Sequence, residues 1–593
     1  MGRRIAAFAL GWALVLTGGL LAHRVQTAGG VSVREVRIAG GGGQRIAGLL
    51  YAPRSATART PAPAVLVSHG YINTREMQSP FAIELARRGF VVLAMDMAGH
   101  GYSGGAVGDH DGGGPAALAW LRAQPFVDPA NIGLEGHSMG GVPIVGAALA
   151  QPDGYRSMVL EGSTTPELGQ LGAGTPRFPR NLEIVFGRYD EFAPLMWHEA
   201  AGSDVGTSAK MKALFGTLFA VPPGARVGSV VEGSARQFVN PPVIHPMEHF
   251  SAAGVGAAVD WFQRTLVGEA HPRPPGDQIW IWKEAGTLVA LIGFVAVVLG
   301  AFDLLLAAPA FAGLRAPVVE APPSRRPTGG WLAFTLTAAV PALTFFPLMG
   351  LGFAFPPSRL FPQWVTNQLA VWALANGAIS AILLVLTNRR KVAFRDDWPK
   401  GIIIALLSAA AGYAALALVD ALFKVDFRFW VVGLRPLDGR HFVIALAYLP
   451  LFTLAFLASL RALHANPPLR DRGAAAHYAA GVLAMSLGFV ALLAIQYASL
   501  FATGRLADPD QALNTIIAIQ FVPVLATVGL IAVFTYRRTA GYVPGAILCG
   551  LLVTWYIVAG TATHWRPGWT LPHGAGLYPA RPAMTATATA PAP

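Results

Sequence analysis

One cysteine, Cys549, occurs in 593 residues, so the chain can form no intramolecular disulfide and no cysteine-based metal site. It lies within an apolar run and reads as a small buried hydrophobe. Charge is scarce as well. Asp, Glu, Lys and Arg make up 13% of the residues, about half the share of an ordinary soluble protein. Apolar residues make up 53%, and the mean hydropathy is +0.48. A globular core does not absorb that much apolar surface, so part of the chain is expected to face lipid. Disorder and a collagen-like fibre are excluded, because both are poor in large apolar residues. Acidic residues are the scarcer sign, 32 against 44 Lys and Arg, for a formal charge of +12. Many of the basic residues flank apolar runs, an arrangement that orients a membrane protein and calls for no nucleic-acid partner.

Four regions follow from the pattern. Residues 1–24 contain an uncharged run, Ile5–Ala22, behind Arg3 and Arg4. It is just long enough to span a bilayer and reads as an N-terminal anchor, with a signal peptide as the competing reading. Residues 31–268 have the composition of a soluble domain in which strands alternate with helices, predicting a mostly parallel sheet covered on both faces. Ala64–Ser68 and Phe90–Met95 read as buried strands; the helix between them starts at Ser79-Pro80 and stops at Arg87-Arg88-Gly89. A second unit follows as helix Pro115–Ala123, strand Ile132–Glu135 and helix Gly140–Ala150. Residues 281–561 hold eight apolar runs: Ala285–Ala307, Trp331–Phe353, Trp364–Thr387, Gly401–Phe423, Phe442–Leu460, Tyr478–Ala502, Ala512–Tyr536 and Tyr542–Ala559. Each has about the 18–25 residues a helix needs to cross the hydrocarbon layer. Residues 562–593, rich in Pro, Ala and Thr, read as a disordered tail.

Nine spans alternate between two sides. Lys and Arg near the span ends number 15 on the side of Arg3 and 9 on the other. The richer side is expected to be cytoplasmic, which places the globular domain of this multi-pass membrane protein outside the cytoplasm. Asp303 and Asp420 lie near span ends and read as interfacial groups.

The sharpest chemical signal is Gly136-His137-Ser138-Met139-Gly140, between a predicted strand and a predicted helix. Glycines two residues either side of Ser138 allow a sharp turn that lifts the hydroxyl above the sheet edge. The following helix points its N-terminus, which favours negative charge, at the same place. In that context Ser138 reads as a nucleophile.

Here the chain resembles the α/β-hydrolase superfamily. Ser68-His69-Gly70-Tyr71 after a strand is similar to the family's oxyanion loop. Asp96-Met97-Ala98-Gly99-His100-Gly101-Tyr102-Ser103-Gly104 is similar to its D-x-x-G-x-G-x-S turn, a structural element. Phe186-Gly187-Arg188-Tyr189-Asp190 is similar to the turn that carries its acid. The resemblance implies an α/β-hydrolase fold beside an all-α transmembrane bundle. It also implies a Ser–acid–His order with Ser138 as nucleophile, Asp190 as acid and His245 as base, and His249 as the alternative base. Glu191 and Glu161 are the other candidates for the acid. Backbone N–H groups of Tyr71 and Met139 would hold the oxyanion. A serine hydroxyl needs an imidazole to take its proton, and the imidazole needs a carboxylate to orient it. His69, His100 and His137 are expected to shape the pocket rather than titrate. Asp109-His110-Asp111 reads as a solvated loop, not a metal site.

The expected activity is hydrolysis of a small-molecule or lipid ester, or a related acyl substrate, without cofactor or metal. A second class stays open: a transporter or lipid-handling bundle whose outer domain is a sensor or binding module. Acyl transfer to an acceptor other than water is a further possibility. The stretch Leu195–Val230 reads as part of a lid.

Overall fold

The structure, a computed structural model, describes residues 1–166, 173–316, 327–387, 394–465, 473–560 and 563–570. The globular part is built on nine strands: β1 Val31–Ala39, β2 Arg45–Pro53, β3 Ala62–Ser68, β4 Val91–Met95, β5 Val127–His137, β6 Ser157–Glu161, β7 Leu182–Val185, β8 Arg226–Val227 and β9 Arg236–Val239. Their order is β1-β2-β4-β3-β5-β6-β7-β9-β8. The run from β4 to β9 is parallel, with antiparallel strands at both edges. Helices α2 Ser79–Ala86, α3 Gly114–Arg122, α4 Gly141–Ala150 and α7 Ala252–Thr265 cover the sheet; α5 Ala193–Trp197 and α6 Ala209–Phe215 follow β7. The middle strands are apolar on both faces and fully buried, as expected where helices lie above and below. Ser251 caps α7 by accepting from the Gly254 N–H.

Register places the site. Ser68 on β3 pairs with Gly136 on β5, so the loops that leave these two strands emerge side by side. Val185 on β7 pairs with Val239 on β9, and the next two loops leave at the same sheet edge. Ligands in open parallel sheets bind at this carboxyl edge.

The remaining helices form the bundle: α1 Gly2–Gln26, α8 Trp280–Ala307, α9 Pro327–Leu343, α10 Phe345–Gly352, α11 Trp364–Thr387, α12 Trp398–Phe423, α13 Gly439–Ala465, α14 Gly473–Thr503, α15 Ala512–Thr539 and α16 Val543–Gly560. Among the described residues, eight helices are long and apolar enough to cross a membrane, as fits a multi-pass membrane protein. The run expected as one span at Trp331–Phe353 holds the two helices α9 and α10, bent by 44° where they meet. Pro341 lacks the N–H that would continue the helix, and Thr344 Oγ1 donates to the Val340 carbonyl at 2.8 Å. α1 lies against α8 through small residues: a Cβ on Gly18 would sit 2.4 Å from the Gly286 carbonyl oxygen, the close approach by which helices pack in lipid.

A hairpin of β10 Phe427–Phe429 and β11 Val432–Leu434 joins the bundle to the globular domain. Buried Arg435 places its guanidinium 3.2 Å from Glu76 and 3.6 Å from Asp96. Arg428 bonds Asp426 at 2.9 Å and reaches Met77 Sδ and Thr74 Oγ1 across the junction. Removing one partner of such a buried pair leaves an uncompensated charge, so these contacts fix how the two parts meet.

The tail departs from its expectation. Residues 563–570 pack as a strap, with Thr563, His564 and Trp565 buried. The His564 N–H donates to the Gly99 carbonyl at 2.7 Å, and Val107 N–H to that of His564 at 2.8 Å. Pro, Ala and Thr dominate the composition, but Trp565 and Trp569 supply the apolar surface that orders this piece. The expected disorder from Leu571 onward lies outside the described residues.

Candidate active site

Ser138 stands where β5 turns into α4, with φ of 54°. This left-handed conformation is strained for a residue with a side chain and is held by its surroundings. A Cβ on Gly140 would come 2.3 Å from the Ser68 carbonyl oxygen, and one on Gly136 would come 2.5 Å from that of Gly140. Both positions of the motif therefore require glycine for space. Ser163 Oγ donates to the Ser138 carbonyl at 2.6 Å.

The other groups come from the neighbouring loops. His245 Nε2 is 2.8 Å from Ser138 Oγ, and its Nδ1 is 2.8 Å from Asp190 Oδ2. A carboxylate can only accept, so Nδ1–H donates to Asp190 and Nε2 is left to accept from the serine hydroxyl. Asp190 Oδ1 accepts from the Phe192 N–H at 2.7 Å, which fixes its plane. Burial works against an imidazolium at His245. The Asp190 carboxylate, by charge and hydrogen bond, with Glu191 beside it, outweighs burial and lifts His245 above its ordinary value.

The alternative base, His249, lines the same pocket. Its Nδ1 instead faces His137 Nε2 at 3.3 Å, and burial followed by the neighbouring His245 lowers it to about 3. Glu161, at the end of β6, is buried away from His245, and burial with Glu135 and Glu183 nearby holds it well above the carboxylate range. Glu191 sits on the backbone of His245 rather than its ring. Its Oε2 accepts from the His245 N–H and its Oε1 from the Tyr497 hydroxyl on α14, both at 2.8 Å. Burial and adjacent Asp190 raise Glu191 to about 7.

Sequence reasoning passed over Glu248. Its Oε1 accepts from the Gly187 N–H, and burial, then Asp190 and Glu161, push it well above its usual range. A protonated Glu248 leaves Asp190 the charged partner of His245. Spacing from His245 was the available signal, but nothing in the chain shows that residue 248 folds back over the Asp190 turn. His137, His245 and Glu248 bring three possible metal-ligand atoms within 4.8 Å. Both His245 nitrogens already face Asp190 and Ser138, so this set suits a proton relay better than a metal.

Gly70 passes so close to Ser138 that a Cβ there would lie 2.9 Å from the serine Cβ. Tyr71 and Met139 both line the pocket beside Ser138. His69 ties the Tyr71 loop to the Asp96 turn: its Nδ1 meets the Gly70 carbonyl at 2.8 Å, and its Nε2 accepts from the Met97 N–H at 3.1 Å. Burial lowers His69, His100 and His137, which stay neutral and shape the loops. Asp96 accepts from the backbone N–H groups of Arg75 and Tyr102, and Asp109 from that of Ala106. Trp565 of the strap donates to the Tyr71 hydroxyl at 3.2 Å.

Residues 63–191 match the family described as alpha/beta hydrolase fold. Two uncharacterized proteins of Mycobacterium tuberculosis, from strains CDC 1551 / Oshkosh and ATCC 25618 / H37Rv, are each 34% identical over 142 residues, or 24% of this chain and 48% of the relative. The chain thus spans about half the length of the curated relatives it matches. Similar solved structures include a CIB-like hydrolase from Thermoplasma acidophilum, 19% identical over 40% of this chain and 100% of that one, with a TM-score of 0.29. An esterase of Pyrococcus furiosus is 16% identical over 40% of this chain and 90% of that one, also with a TM-score of 0.29.

The globular domain carries an α/β-hydrolase fold, beside a bundle of long apolar helices.

Proposed function

We propose that the chain is a membrane-bound serine hydrolase that cleaves esters or related acyl substrates. One observation carries this reading: the unbroken line from Ser138 Oγ through His245 to Asp190, with 2.8 Å at each step. Ser138 Oγ attacks the acyl carbonyl carbon while His245 Nε2 takes its proton. The imidazolium, stabilised by Asp190, returns that proton to the leaving alkoxide as the carbon–oxygen bond breaks. Water then attacks the acyl-serine, His245 takes its proton, and the proton passes back to Ser138 as the acid leaves. The backbone N–H groups of Tyr71 and Met139 stabilise the oxyanion, a contribution of about 3 kcal/mol per donor in comparable sites.

The orientation proposed is with the hydrolase domain outside the cytoplasm. Of the nine basic residues on its side, Lys283, Arg428, Arg435 and Arg440 are engaged in contacts at the junction and are not free cationic flanks. Arg4, Arg315, Lys400 and Arg538 on the other side are engaged as well, so the orientation rests on the count of 15 against 9. Phosphatase and fluorescent-protein fusions after Asp277 test it: an active phosphatase with a dark fluorophore is expected, and the reverse contradicts the orientation. Hydrolysis of p-nitrophenyl esters by membranes containing the protein, abolished by Ser138→Ala, tests the activity. Transport that persists in Ser138→Ala while no ester is cleaved would favour the binding-module reading.

A further inference from the structure

The wall facing Ser138 is not supplied by the hydrolase domain alone. Of the stretch expected to form a lid, Leu195 and Met196 line the pocket. The same pocket is lined by Leu513, Ile516 and Gln520 of α15 and by Val431 of the hairpin. Positions 513, 516 and 520 share one face of a helix. A helix long and apolar enough to cross a membrane thus shares the pocket lining with the stretch expected to form a lid.

The chemistry of this pocket is lopsided. Its polar end holds the Ser138 hydroxyl and His245. Phe192 packs on the His245 ring with centroids 4.6 Å apart, and Ile72, Leu195, Met196, Leu513 and Ile516 add further apolar lining. The empty space amounts to about 720 Å³, including the part open to solvent. From Leu513 to Gln520 the wall runs about 10 Å along α15, starting one residue into a helix long and apolar enough to cross a membrane. Gln520 is held by the Tyr556 hydroxyl, which donates to its Oε1 at 2.5 Å, so this wall is fixed from the bundle side.

We infer that the Leu513–Ile516 face of α15 is an acyl-chain subsite, and that the substrates are lipid-like esters. The scissile carbonyl meets Ser138 while the acyl chain lies between the hydrolase domain and the bundle. This rests on the proposed hydrolase reading. It adds a substrate class that the hydrolase fold alone does not specify, because the chain-binding surface belongs to the bundle. A short acyl group leaves this face unused, whereas a long one buries its methylenes against it.

The test uses the full-length protein in detergent micelles. The ratio of kcat/KM for p-nitrophenyl decanoate over p-nitrophenyl acetate is measured for wild type and Ile516→Trp. The indole fills the chain's path, so the ratio is expected to fall at least roughly tenfold. Ile516→Ala is the second variant: it lengthens the space, and the preferred chain is expected to shift from decanoate towards palmitate. Ratios unchanged in both variants would overturn the subsite. Labelling of Ser138 by a small fluorophosphonate separates the two levels of the argument. Labelled variants with an unchanged ratio overturn the subsite alone, whereas a wild type that is not labelled and cleaves no ester overturns the hydrolase reading with it. Repeating the assay with a fluorogenic phospholipid in phosphatidylglycerol vesicles identifies the source. Cleavage there supports a bilayer lipid, and cleavage of dispersed p-nitrophenyl ester only supports a monomeric acyl ester at the same subsite.

Discussion

The hydroxyl of Tyr497, on α14 of the bundle, donates at 2.8 Å to Glu191 Oε1, while the other oxygen of Glu191 accepts from the backbone N–H of His245. A side chain of the helical bundle is thus one residue removed from the group that faces Ser138. Glu191 is raised to about 7 by burial and by Asp190, and the Tyr497 bond works against that rise. Tyr497→Phe deletes the bond and should move the Glu191 titration further upward. The expected loss in kcat/KM is about 1 kcal/mol, roughly fivefold. A pH profile from the purified variant checks both, and an unchanged profile would detach the bundle from the site.

Activity requires His245 neutral, so that Nε2 can accept the serine proton. Its raised value means that kcat/KM should fall on the acid side with a midpoint above 6.5. Asp190→Asn removes the main stabilising charge and leaves burial opposed only by Glu191. The acid limb should then move to lower pH while the rate drops by roughly four orders of magnitude. Measuring kcat/KM against pH for both proteins checks the sign. A limb that stays in place would show that another group controls it.

Trp565 and Tyr71 give a third prediction. The strap holds the tyrosine whose backbone N–H is proposed to stabilise the oxyanion. Trp565→Ala should lower kcat/KM by about ten- to a hundredfold, because small displacements of such donors are costly. Trp565→Phe keeps a ring against Trp364 and Trp569 and loses one hydrogen bond, about 1 kcal/mol. Steady-state kinetics on the two variants, with melting temperatures alongside, separates loss of positioning from loss of fold.

Gly18 reports on whether α1 remains with the protein. Its hypothetical Cβ would sit 2.4 Å from the Gly286 carbonyl oxygen. Gly18→Leu should destabilise the purified protein by about 1–3 kcal/mol if α1 is retained as an anchor. An unchanged melting temperature, together with an intact mass lacking the first residues, would favour removal of a signal peptide.

Local chemistry made much of the arrangement readable. Strand–Gly-x-Ser-x-Gly–helix is a statement about five adjacent residues, and the span lengths follow from counting apolar residues. The contacts that passed unnoticed join residues far apart in the chain. Tyr497 lies hundreds of positions from Glu191, and nothing in its neighbourhood marks it as other than an aromatic on a membrane helix. Leu513 and Ile516 likewise carry no local mark of a site, because one helix face does not reveal what it packs against. Residues 563–570 were obscured by averaging: the composition of the whole tail outweighed Trp565 and Trp569, the two side chains able to order it. The bend between α9 and α10 was foreshadowed by Pro341, which an apolar run of spanning length concealed.

The most direct measurement is peptide mass spectrometry after treating the full-length protein with a fluorophosphonate. The account predicts one adduct on Ser138, lost in Ser138→Ala and strongly slowed in His245→Ala but not abolished in His249→Ala. No adduct on Ser138, or labelling whose rate ignores His245, would contradict the proton relay.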